Sequence, residues 1–139
     1  MTPTSIRYAN AFALKIPLIK PMLMAGVHIT HAETFIIRLE TNQGIVGWGE
    51  NTAAPTHGGQ TLEEMLHAFT HGIQESLIGC DSQNLSAISK VLSQKFPKGS
   101  GAIAAIDIAL YDLVGKVLGI PAYTLMGGKQ RSSVSPLWL

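Results

Sequence analysis

From Ser5 to Leu14 the chain alternates. Ile6, Tyr8, Phe12 and Leu14 fall on one side, and Arg7, Ala9, Ala11 and Ala13 on the other. A period of two predicts a strand whose larger apolar side chains face a core. Pro17 lacks a ladder donor and predicts its end. Pro17 to His31 reads as an irregular loop, unusually rich in Leu18, Ile19, Met22, Leu23, Met24 and Val27. Connecting segments run over surfaces, so a loop this apolar predicts that it covers something. Glu33 to Thr41 alternates again, with Phe35, Ile37 and Leu39 opposed to Thr34, Ile36, Arg38 and Glu40. Asn42-Gln43-Gly44 is a hairpin signal, and Ile45 to Glu50 is the return strand. The first 50 residues therefore predict a three-stranded antiparallel meander.

Asn51 to Gln60 predicts a second loop, with Pro55 and Gly58-Gly59 inside it. Thr61 to Glu64 then has the spacing of a capping box, in which the threonine and glutamate side chains satisfy each other's backbone donors. Behind it, Leu62, Leu66, Phe69, Ile73 and Leu77 form a helical stripe that Gly79 ends. A second helix opens at Asn84 or Ser86, carries Ile88, Val91, Leu92 and Phe96, and closes at Pro97 and Gly99. A third runs from about Gly101 to Leu118 and meets Gly119 and Pro121, a common stop pattern. Val134 to Leu139 is apolar and strand-like. Strands followed by helices place the chain in the α+β class.

Composition changes this picture in one respect. The chain has 139 residues, suited to one domain, and 46% are hydrophobic. Only 14% are charged, against about 25% in ordinary soluble domains. A surface so short of charge predicts burial against another body or a homo-oligomer. The formal net charge is +1 with no basic run, which excludes nucleic acid and acidic membranes as electrostatic partners. No apolar stretch is long enough to span a bilayer. Cys80 is the single cysteine, so no internal disulfide forms, and a reducing cytoplasm is the expected compartment.

Candidate chemistry is sparse. His67 and His71 have a zinc-binding spacing, but no third ligand lies nearby in sequence, so they read as a solvated helix face. Gly47-Trp48-Gly49 lacks the third glycine and the following helix of a dinucleotide fingerprint. The simpler reading is a strand passing close to neighbouring backbone. Glu50 reads as a hydrogen-bonded carboxylate at a strand end. Asp107 and Asp112 are five apart and share no helix face, whereas Asp112 and Lys116 are spaced for an ion pair. His28, His31 and His57 lie in the two predicted loops. Nothing assembles a nucleophile with its base, so no catalytic and no metal-ligating residue is assigned.

The run Ala102-Ile103-Ala104-Ala105-Ile106-Asp107-Ile108-Ala109-Leu110-Tyr111-Asp112-Leu113-Val114-Gly115-Lys116, followed by Pro121 and Leu125-Met126-Gly127-Gly128, resembles the mandelate racemase/muconate lactonizing enzyme signature of the enolase superfamily. Ala122 departs from it, replacing a branched aliphatic residue. Gly44 to Glu50 is similar to the family's third-strand motif, and Arg131 to Leu139 to its linker and first barrel strand. The run also has a physical reading. Ile103, Ile106, Leu110, Leu113 and Val117 make a core stripe, while Ala102, Ala105 and Ala109 make a small-residue face for close approach of another element. Its aspartates read as orienting groups.

The resemblance implies an enolase N-terminal domain-like capping domain over residues 1–128. Residues 129–139 would be a linker and the truncated first strand of a TIM-like barrel. It implies that Pro17–His31 and Asn51–Gln60 are specificity loops, which makes Met22, Met24, His28, Ala54, Thr56 and His57 the substrate-binding candidates. It also implies a parent enzyme that binds a carboxylate-bearing small molecule and abstracts its α proton, stabilising the enolate on Mg²⁺. No residue of this chain matches the family's lysine bases or metal carboxylates, and Lys20, Lys116 and Lys129 are not candidates. The chain alone is therefore expected to be inactive. The competing reading is a stand-alone, non-enzymatic oligomerising or binding domain from a truncated gene.

Overall fold

The alternation seen in the sequence becomes a three-stranded sheet in the order β1-β2-β3, antiparallel throughout. Its strands are β1 (Ile6–Met24), β2 (Val27–Thr41) and β3 (Val46–Thr52). The computed structural model describes residues 2–24, 26–55 and 58–136. Helices follow: α1 (Leu62–Ala68), a π-helical turn (Phe69–Ile73), α2 (Gln74–Leu77), α3 (Leu85–Lys95), α4 (Ser100–Leu118) and α5 (Ala122–Leu125). They cover one face of the sheet. Phe35, Ile37 and Leu39 of β2 meet Met65, Phe69, Ile106, Leu110 and Leu113 in the core. None of these helices is long and apolar enough to cross a membrane.

The segment Pro17–His31 is not an irregular loop. β1 continues through it to Met24, and β2 begins at Val27, with Gly26 at φ +79° in the turn. Prolines are tolerated because β1 is an edge strand, where a missing donor leaves no ladder partner unpaired. Pro17 still pairs with His31, and the register then slips before resuming at Met22 and Ile29.

The inward face of β1 also differs from the pattern. The register shifts between Ile6 and Tyr8. One extra residue reverses the parity of everything beyond it. Ile6 is buried, but so is Ala9, while Tyr8, Phe12 and Leu14 face away from the helices. The Gln74 amide donates to the Ala9 carbonyl at 2.8 Å, fixing α2 to this small-residue face.

The capping box forms as predicted. The Glu64 backbone N–H donates to Thr61 Oγ1 at 3.1 Å, and the Thr61 N–H to Glu64 at 2.9 Å. The stripe behind it is Leu62, Met65, Phe69, Ile73 and Leu77, so Met65 takes the place expected of Leu66, which is exposed. The π-helical turn interrupts this helix, with Gly72 at φ +131°. α3 starts after Asn84 as expected, although Val91 points outward. α4 ends at Gly119 in the left-handed conformation, φ +66°, and α5 was not foreseen. Residues 129–136 carry no strand, and the remaining residues of the expected barrel strand, 137–139, lie outside the described residues.

α4 lies directly on β3. A Cβ on Gly49 would overlap the Ala105 carbonyl oxygen and come within 2.5 Å of the Ala109 nitrogen. A Cβ on Gly47 would meet the Leu113 side chain at 2.5 Å. The glycines therefore serve close backbone approach, against the alanine face of α4. Asp112 bridges the same pair of elements. It accepts from the Trp48 backbone N–H at 2.8 Å and from Lys116 Nζ at 2.6 Å, and Lys116 also donates to the Val46 carbonyl at 3.0 Å. Asp107 accepts from the Ser89 hydroxyl, tying α3 to α4. Both aspartates orient helices.

Replacing Gly49 by alanine forces α4 off the sheet and is expected to cost about 3 kcal/mol, the upper range for overpacking. Gly44→Ala strains only a turn at φ +78° with open space around it, and is expected to cost about 1 kcal/mol. Urea unfolding of the two variants checks the ranking.

Candidate functional site

The β1–β2 hairpin is longer than the helical layer beneath it. Its far end stands clear of the core and faces the segment that leaves β3. Between them lies a cleft of about 420 Å³, lined by Met22, Met24, Val27, His28 and Ile29 on the hairpin and by Thr52, Ala53, Ala54 and Pro55 opposite. Met22 is paired with Ile29 and Met24 with Val27, so strand register sets these four apolar side chains side by side. Methionine is unbranched and polarizable, which suits a wall that must fit varied shapes.

At the base of the hairpin, Lys15 stands opposite Glu33 in register, and the two form an ion pair at 2.6 Å. Both line the cleft. The hydrogen bond it donates to Glu33, and then the charge of that carboxylate, hold the Lys15 ammonium above the ordinary lysine value. The site thus offers an apolar wall, the imidazoles of His28 and His31, and one cation–anion pair. It can enclose and orient a small molecule. Among the described residues, no group of three histidine, cysteine or carboxylate side chains is placed to hold a metal ion.

Four of the six substrate-binding candidates come together here: Met22, Met24, His28 and Ala54 all line the cleft. Thr56 and His57 lie outside the described residues; Pro55, immediately before them, lines the cleft. His31, a loop histidine by sequence, sits in β2 and also reaches it, within 2.9 Å of the Thr30 hydroxyl. The other candidates are elsewhere. Glu50 accepts a hydrogen bond from Thr34 at 2.5 Å on the sheet face away from the helices. His67 and His71 are exposed and stack with ring centroids 3.8 Å apart. Sequence reasoning missed Lys15 and Glu33. Carrying the strand pairing one residue past Leu14 places them opposite each other.

The chain matches the family model for the mandelate racemase / muconate lactonizing enzyme N-terminal domain over residues 9–127. It is 32% identical over 120 residues to the N-succinyl-L-Arg/Lys racemase of Bacillus cereus, covering 86% of this chain and 32% of that protein. The muconate lactonizing enzyme of Pseudomonas fluorescens, solved with muconolactone, superposes with a TM-score of 0.87 at 28% identity, covering 94% of this chain and 36% of that one. A dipeptide epimerase of Enterococcus faecalis, solved with Mg and the dipeptide L-Leu-L-Tyr, gives a TM-score of 0.82 at 33% identity, covering 89% and 35%. The chain thus spans about a third of the length of these relatives.

The raised Lys15 value has a defined pH consequence. The pair's contribution to stability is complete below the ordinary lysine value and is lost as pH rises through the raised one. Lys15 is solvent-exposed, so the effect on stability is small. An NMR titration of the Lys15 ammonium should place it above the ordinary lysine value, and Glu33→Gln should lower it toward that value.

Proposed function

The chain belongs to the mandelate racemase/muconate lactonizing enzyme family, as its N-terminal domain, and on that basis we propose that it caps the active site of a larger metal-dependent enzyme. The reaction is of the muconate cycloisomerase or racemase type, removal of a proton α to a carboxylate. The cleft between the hairpin end and residues 52–55 is the observation that carries this reading. It gathers four of the six substrate-binding candidates at one end of the domain, three of them on the hairpin end that stands clear of the core. The role of this chain is to select the substrate and exclude water. The molecules bound in relatives, muconolactone and a dipeptide, share a carboxylate and differ in the remainder. An adaptable wall of Met22 and Met24 suits the remainder, and His28 supplies a hydrogen bond.

The residues described here do not fit a magnesium ion, which needs several well-placed oxygens. The metal of the proposed reaction would be held by segments other than this domain. The cytoplasm is the proposed compartment.

Met24→Ala and His28→Ala, each made in the full-length enzyme, are expected to change kcat/KM about tenfold or more, by different factors for different carboxylate substrates. Affinity for Mg²⁺ should stay unchanged. Equal kcat/KM for every substrate would remove the cleft from the site. Calorimetric titration of the 139-residue chain with Mg²⁺ is expected to show no stoichiometric binding.

A further inference from the structure

The cleft between the hairpin end and the segment leaving β3 has an apolar wall and one charged place. Met22, Met24, Val27 and Ile29 give the wall four apolar side chains, and Ala53 and Pro55 lie opposite. Among the described residues that line it, Lys15 is the one lysine or arginine and Glu33 the one carboxylate. The two are paired with each other. They stand opposite in the β1–β2 register, and Lys15 Nζ donates to Glu33 at 2.6 Å. Strand pairing presets this contact, so the cation has its partner before any ligand enters.

We propose that the cleft takes carboxylates whose remainder is apolar and uncharged, with Glu33 as the specificity-determining residue, because it withholds Lys15 from any substrate that carries a second negative charge. The inference rests on the capping role proposed above and names the class of substrate that role selects. Its basis is the cost of taking charge out of water. Burial of apolar surface is favourable in proportion to its area. A charged group placed against the same wall loses its hydration and needs a partner of opposite sign in return. An anionic remainder finds Lys15 engaged, and must either displace Glu33 or leave one carboxylate unpaired. Glu63 of α1 also acts on Lys15, and adds to the repulsion of an incoming anion. A cationic remainder meets the ammonium of Lys15 itself. An aliphatic or aromatic remainder incurs neither cost. The pair is partly open to solvent, with side chains 61% and 33% exposed, so water weakens it in the empty cleft. Its discrimination grows when a substrate fills the cleft and displaces that water, since charges act more strongly in a low dielectric. The space of about 420 Å³ lies within the roughly 300–1,000 Å³ of ordinary small-molecule sites.

The test follows loss of the α-proton signal by NMR, with the full-length enzyme and Mg²⁺ in D2O. The probes are the Nα-acetyl derivatives of leucine, glutamate and lysine, the dipeptides L-Ala-L-Leu, L-Ala-L-Glu and L-Ala-L-Lys, and muconolactone for the cycloisomerase reaction. Among the amino-acid probes, exchange is expected to be fastest on a leucine member, with kcat/KM about tenfold or more above its glutamate and lysine counterparts. Glu33→Gln should narrow the leucine-to-glutamate ratio about tenfold, because it frees Lys15 for a charge-assisted hydrogen bond to the second carboxylate. Adding Lys15→Gln should abolish that gain. Exchange on a glutamate or lysine member at or above the leucine rate overturns this inference and leaves the capping role standing. So does a Glu33→Gln variant with an unchanged ratio, or a gain on glutamate that persists without Lys15. Absence of exchange on every probe overturns the proposed reaction, and this inference with it.

Discussion

The close approach of α4 to β3 governs the rest of this structure. Gly47 and Gly49 remove the side chains that would hold the helix away, and Ala105 and Ala109 do the same from the other side. With so little side-chain bulk between them, helix and strand bring their backbones together, and Asp112 ties the contact to the Trp48 N–H and to Lys116. Small residues lose little side-chain entropy on burial, so such a contact is made at low conformational cost. Once it forms, it determines which face of the sheet is interior, because Trp48 and Val46 must then point the other way.

Everything on β1 and β2 follows from that choice of face. Phe35, Ile37 and Leu39 are drawn inward, each contributing about 2–3 kcal/mol by full burial. β1 has to present small side chains to the same layer, and the register shift after Ile6 lets Ala9 do so. The larger residues of β1 are displaced outward by the same step. The apolar outer face is thus a consequence of how closely the helices sit on the inner one.

The helical layer is also shorter than the hairpin. Beyond it the β1–β2 pair has no core to cover, and its side chains are available to line a cleft with the segment leaving β3. A ribbon of two strands is held by its own ladder and by pairs such as Lys15 and Glu33. Elements with few buried contacts open most easily, which suits the role proposed for this overhang. The rigid part of the domain carries the signature helix, and the adaptable part carries the candidate binding residues.

Much of this was legible in the sequence, and the limits have physical reasons. Alternation and turn residues determined the three strands of the meander. The Thr61–Glu64 spacing determined where α1 starts, and Gly119 determined where α4 ends. The run through Asp107 and Asp112 identified the family, and the glycines of β3 announced a close contact without naming its partner. Four substrate-binding candidates chosen from sequence share one cleft, Met22, Met24 and His28 as strand residues and Ala54 in the segment beyond β3. Tertiary structure decided what local patterns leave degenerate. A one-residue shift in pairing reverses the faces of a strand while its sequence still alternates, so the outward turn of Phe12 could not be read from β1 alone. Proline signals a strand end except on an edge, and only the sheet order made β1 an edge. Leu66 and Met65 suit the same helix equally well, and the position of the sheet against the helix chose the methionine. Lys15 and Glu33 are neighbours because two strands pair, a fact about distance in space that neither residue carries in its own local sequence.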